Sequence, residues 1–105
     1  TLDIDVHITA YLQQHEMVSQ TIGFAGYRHA SCISINDEIV HGVPDAKKII
    51  VAGDLVKVDV CAARNNYCAD MARCFIVGVP DEKTTNPLND INFNNYCRLW
   101  CFFKE

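Results

Sequence analysis

Hydrophobic and polar positions alternate most cleanly over residues 54–61, DLVKVDVC. Val56, Val58 and Val60 fall on one side of an extended chain, and Leu55, Lys57, Asp59 and Cys61 on the other. A second extended run covers Tyr67 to Val77, and Asn65-Asn66 between the two suits a tight turn, since asparagine tolerates the left-handed backbone such turns need. With residues 65 and 66 as the loop, Cys61 faces Asp70; with 64 and 65, Asp59 faces Asp70 directly. Either two-residue loop puts both carboxylates on one face, and a three-residue loop breaks that parity. Upstream, Ile4, Ile8, Tyr11 or Leu12, and His15 recur at helical spacing. They predict a helix over 1–18, with Thr1 as its cap and Asp3 and Asp5 at the favourable end of its dipole. Residues 31–36, SCISIN, alternate as a short strand, and 38–43 predict a second one that closes a hairpin around Asn36-Asp37.

Between these elements, Thr21 to His29 is a loop built on Gly23 and Gly26, and Phe24 and Tyr27 in it read as core packing from the residues alone. Residues 44–53 connect the two hairpins, with Ile49, Ile50 and Val51 expected to cover the core and Lys47 and Lys48 to form a solvated face. After Pro80 the composition shifts. Five asparagines crowd residues 86–95, and YCRLWCFF follows with no clean amphipathic stripe. The predicted architecture is α+β: an N-terminal helix, two antiparallel hairpins in a curved sheet, and a C-terminal helix. A short helix over Phe93–Phe103, covering a bare sheet face, is one expectation for the tail, and pairing of two copies through its aromatics is another.

At 105 residues and 50% apolar content, the chain has enough for one domain with a core. A net charge of −4 offers no basic patch for nucleic acid or an anionic membrane, and no apolar run approaches a membrane span. The six cysteines include no C-x-x-C spacing and sit mostly in predicted apolar strands, which favours reduced thiols and a cytoplasmic protein. Cys97 and Cys101, four apart, could share a helix face and hold a metal, although no partner pair is evident.

The chemistry concentrates on Asp59 and Asp70. Two carboxylates side by side must be solvated, share a proton or bind a cation. Asp59 lies between valines, where an unpaired charge is costly. Paired carboxylates suit hard or borderline divalent metals. His7 and His15 read as surface residues, and His41 alone would read as structural or solvated.

Four stretches carry a family resemblance: GFAGY (23–27), SCISINDEIVHGVPD (31–45), GDLVKVDV (53–60) and YCADMARCFIVG (67–78). In order and spacing, residues 1–80 resemble the first half of the catalytic domain of a type I methionine aminopeptidase, with 81–105 a divergent tail. The resemblance implies half of a creatinase/aminopeptidase "pita-bread" domain, an antiparallel curved sheet with flanking helices. It implies metal-dependent removal of the initiator methionine from the N-termini of nascent proteins, with two divalent ions (Co, Mn, Fe or Zn) in a complete site. By position, Asp59 and Asp70 match the first two metal ligands. His41 matches a histidine near the scissile amide, and Phe24, Tyr27 and Cys32 match the pocket for the methionine side chain, where a thioether packs well.

The family's other three ligands, a histidine and two glutamates, have no counterpart here. Around Asp70 the usual H-G-D-T-S is replaced by Cys68-Ala69-Asp70-Met71-Ala72; Cys61 stands where a small hydroxyl residue is common, Ala25 for a histidine and Arg28 for a proline. These changes touch the surroundings that tune metal ligands. The expectation is therefore a truncated family member, inactive in isolation and binding metal weakly or not at all. The alternatives are a non-catalytic half-domain that dimerises or binds a partner, and a small protein using its thiols.

Overall fold

The computed structural model describes residues 1–78 and the backbone of 96–98. One helix packs beside a five-stranded sheet: α1 (Leu2–Gln14), β1 (Val18–Ser19), β2 (Ser31–Ile35), β3 (Leu55–Arg64), β4 (Tyr67–Ile76) and β5 (Tyr96–Arg98). This is the α+β architecture expected of half a pita-bread domain.

β3 is the centre of the sheet. Its ten residues pair antiparallel with all ten of β4 on one edge; on the other edge β2 pairs with 56–60 and β1 with 62–63. The alternation along β3 sets the faces as expected: Val60 and Ala62 turn towards α1, while Asp59 and Cys61 turn to the opposite side. Among the described residues, Leu12, Ala30, Ile33 and Val56 are buried, so the core runs from the helix through β2 into the start of β3.

The helix begins where expected, with Thr1 at its N-cap, but the Thr1 side chain makes no capping bond. Its Oγ1 instead donates to the Asp45 carbonyl at 3.1 Å and accepts from the Asp45 N–H at 2.9 Å, which staples the helix start to the 44–53 connection. The helix stops at Gln14, short of residue 18. Glu16 adopts φ 54, Glu16 N–H bonds the Gln13 carbonyl and Met17 N–H bonds the Leu12 carbonyl, a Schellman closure. Glycine usually fills that left-handed position, and a glutamate there hides the stop. Of the two alternatives for the inner face, Leu12 is buried, whereas Tyr11 is exposed and stacks on the exposed His15.

Asp5 does more than complement the dipole. It is only 4% exposed, and its carboxylate accepts from Ser31 N–H (2.9 Å) and Ser31 Oγ (2.8 Å) and pairs with His29 Nδ1 (2.8 Å). A buried carboxylate is tolerable only with such partners, and here they lock α1 to the first residue of β2.

Three expectations are corrected. Residues 38–43 are not a strand: on the edge of β2 away from β3, Ile33 N–H bonds the Gly42 carbonyl, but the Ser31 and Ile35 N–H groups are taken by the Asp5 and Glu38 carboxylates. The Glu38 side chain turns back to accept from Ile35 N–H, and Ile39 and Val40 stay exposed. Ile49 and Val51 do not cover the core but are exposed. A helix across 93–103 is excluded at 96–98, which pair with Asp70–Ala72 as β5; the remainder of that helix, the aromatic pairing of copies and the Cys97–Cys101 spacing lie outside the described side chains.

Candidate metal and substrate site

The β3–β4 hairpin positions the two carboxylates. Asn65 and Asn66 take φ values of 51 and 66, both left-handed, as a two-residue hairpin turn requires. This selects the register in which Cys61 faces Asp70 and Asp59 faces Ala72. Asp59 and Asp70 are therefore diagonal neighbours on one face. Burial pushes the Asp59 pKa up, and the neighbouring Asp70 charge and hydrogen bond add to it; His41 acts in the opposite sense. The carboxylates are placed to share a proton or a cation.

On the other edge of β3, β2 sets Cys32 directly beside Asp59. The chain then returns past β2 through His41-Gly42. A Cβ on Gly42 would lie 2.3 Å from the Ile33 carbonyl oxygen, so glycine is required for this close approach. His41 itself takes φ 58, a left-handed conformation costing a non-glycine residue about 1–2 kcal/mol. The pair brings the imidazole alongside Asp59, where both line a cavity of about 700 Å³ and a smaller one of about 200 Å³.

The larger cavity gathers every candidate residue: Phe24, Tyr27, Cys32, His41, Asp59 and Asp70, together with Cys61 and Val43. Phe24 is 76% exposed, so it forms a rim and does not pack in the core. Tyr27 donates its hydroxyl to the Ser31 carbonyl at 2.9 Å, and burial, reinforced by Cys32, pushes its pKa well up. Burial also raises the Cys32 thiol, partly offset by its hydrogen bond with Tyr27. One end of the cavity is thus aromatic and sulfur-bearing, and the other carries carboxylate.

A feature not foreseen lies next to Asp70. The Sγ atoms of Cys61 and Cys68 are 3.4 Å apart, and burial followed by the neighbouring Cys68 thiol pushes the Cys61 pKa up to about 12. The register of the 65–66 loop already put both sulfurs on the carboxylate face; their contact follows from that diagonal. All four cysteines with described side chains are free.

The donor set suits a divalent cation in part. Two carboxylates on one face supply hard oxygen ligands. Among the described residues, however, no three histidine, cysteine, aspartate or glutamate side chains converge to hold a metal. Also among them, no helix is long and apolar enough to cross a membrane.

Residues 2–92 match metallopeptidase family M24, and the chain belongs to that family. Similar proteins within it include methionine aminopeptidases. Methionine aminopeptidase A of Synechocystis sp. is 35% identical over 80 residues, covering 76% of this chain and 32% of its own length. The methionine aminopeptidase of Escherichia coli is 41% identical over 68 residues, covering 65% and 25%. The crystal structure of methionine aminopeptidase from Thermotoga maritima superposes with a TM-score of 0.76 at 33% identity, over 80% of this chain and 34% of that one. The chain thus spans about a quarter to a third of the length of these relatives.

Proposed function

We propose that this chain supplies the first half of a methionine aminopeptidase site. Asp59 and Asp70 would hold a divalent cation (cobalt, manganese, iron or zinc), His41 would orient the substrate amide, and Phe24, Tyr27 and Cys32 would receive the methionine side chain of a nascent protein. The observation that carries this reading is the convergence of all six residues, drawn from four separate segments, on one cavity. When bound, the cation supplies Lewis-acid polarisation and water activation.

The chain's own contribution is positional. The hairpin register fixes the carboxylates on one face. The His41-Gly42 approach brings the imidazole to Asp59, and the exposed Phe24 closes the rim around a side chain that enters from solvent. With two carboxylates and no third converging ligand among the described residues, the 105 residues alone would bind metal weakly and turn over no substrate. The remaining ligands come from elsewhere, a second segment or a second polypeptide. On this reading residues 1–80 form the aminopeptidase-like part and 81–105 a tail of separate character. The free thiols fit a reducing compartment, the cytoplasm.

Hydrolysis of a Met-Ala-Ser peptide with cobalt or manganese added tests this. The expected result is no turnover by the 105 residues alone. Joined to the second half of a methionine aminopeptidase, the chain should turn the peptide over, and Asp70→Ala should abolish that activity. Turnover that survives Asp70→Ala would contradict the assignment.

A further inference from the structure

Cys61 and Cys68 occupy diagonal positions on the two strands of the hairpin, and their sulfurs meet at 3.4 Å. Both side chains are half-buried, within reach of solvent. Cys61 lines the cavity, and its direct cross-strand partner is Asp70. The sulfur separation decides what this pair is suited to. Two thiolates bound to one zinc-like ion at about 2.3 Å each, with a tetrahedral angle between them, lie about 3.8 Å apart. The observed gap is about 0.4 Å shorter, a difference that a small rotation about either Cα–Cβ bond absorbs. A direct sulfur–sulfur bond would need the atoms to close to about 2 Å and an oxidant to take up two electrons.

We propose that Cys61 and Cys68 form a two-thiolate site for a thiophilic divalent cation of the zinc–cadmium class, opening onto the cavity at Asp70. Binding replaces two S–H bonds with two sulfur–metal bonds and releases both protons to solvent. The sulfur donors select soft and borderline ions, whereas the Asp59–Asp70 pair favours harder ones such as manganese. This face of the hairpin therefore carries two adjacent cation sites of different preference. The second does not depend on the aminopeptidase reading. With two protein ligands, it leaves coordination positions open to water or to a cavity ligand.

Titration of the reduced 105-residue chain with cadmium, read by thiolate-to-cadmium charge-transfer absorption in the ultraviolet, tests the proposal. One equivalent should bind. Cys61→Ser or Cys68→Ser should weaken binding by at least about tenfold, the loss that even a change outside the coordinating atoms can cause. A chain carrying Cys32→Ser, Cys74→Ser, Cys97→Ser and Cys101→Ser together should keep the signal. If that chain does not fold, as judged by thermal unfolding, the pairs Cys32→Ser/Cys74→Ser and Cys97→Ser/Cys101→Ser, made separately, give the same comparison. An equal concentration of manganese should not displace cadmium from the thiolates, which separates this site from the carboxylate pair; displacement would assign the signal to the carboxylates. Cadmium absorption that persists without Cys61 and Cys68, or that depends equally on Cys32 or on the 97/101 pair, overturns the assignment.

Discussion

Replacing Asp5 by alanine isolates the contact that ties the helix to the sheet. The carboxylate is 4% exposed and Ser31 is fully buried, so water cannot replace what is lost. The Ser31 N–H, bound at 2.9 Å, would be left unpaired, a penalty of about 1–3 kcal/mol. The Ser31 hydroxyl can rotate to another acceptor, and losing its 2.8 Å bond adds about 1 kcal/mol. His29 has 21% of its side chain exposed and can turn to solvent, so its bond contributes little more. The expected loss is about 2–4 kcal/mol. Asp5→Asn offers a sharper comparison. Its amide oxygen can accept from both Ser31 groups, and the expected loss is about 1 kcal/mol. Urea unfolding followed by far-ultraviolet circular dichroism measures both through the midpoint shift at constant slope. If Asp5→Ala costs less than about 0.5 kcal/mol, the range of an ordinary surface substitution, the carboxylate does not anchor the helix and the reasoning fails.

Gly42→Ala should be among the most damaging small changes, because its methyl group would lie 2.3 Å from a backbone oxygen that cannot move without breaking β2. A loss of about 3 kcal/mol or more, seen as a lowered Tm or insoluble protein, is expected. Asn66→Gly should raise stability by about 0.5 kcal/mol, since glycine accepts the φ of 66 with no steric cost; a lower Tm would count against the turn geometry. Glu38 has its pKa held below the usual carboxylate range, first by the Lys48 ammonium and then by the Ile35 N–H. Its contribution is therefore present above the ordinary glutamate pKa and is lost as pH falls through the lowered folded value. Glu38→Gln should flatten the acid side of the Tm-against-pH curve, and an unchanged curve would remove Glu38 from the account.

Much of the site was legible because it rests on one local element. The period-two alternation of 54–61, the Asn65-Asn66 turn and the parity of Asp59 and Asp70 follow from strand geometry, and the structure selects one of the two registers that geometry allowed. The same rules failed at 38–43, where apolar residues beside a turn resembled a returning strand. Alternation cannot say which strand takes an edge: β3, more than twenty residues on, took one edge of β2, and on the other the Asp5 and Glu38 carboxylates took the N–H groups of Ser31 and Ile35 that a returning strand would have bound. The helix stop was hidden because Glu16, not glycine, takes the left-handed position. Asp5 was read as a dipole partner because its anchor, Ser31, lies 26 residues away. Cys61 and Cys68 were each visible as departures from a family pattern, but their contact needed the register.

The most direct test of the central claim is a calorimetric titration of the 105-residue chain with manganese, beside Asp59→Asn and Asp70→Asn. Weak binding that both substitutions abolish, in chains whose thermal unfolding is otherwise intact, is the result expected if these carboxylates are the first two ligands of a metallopeptidase site. Binding that survives both substitutions would place the cation elsewhere and contradict the account.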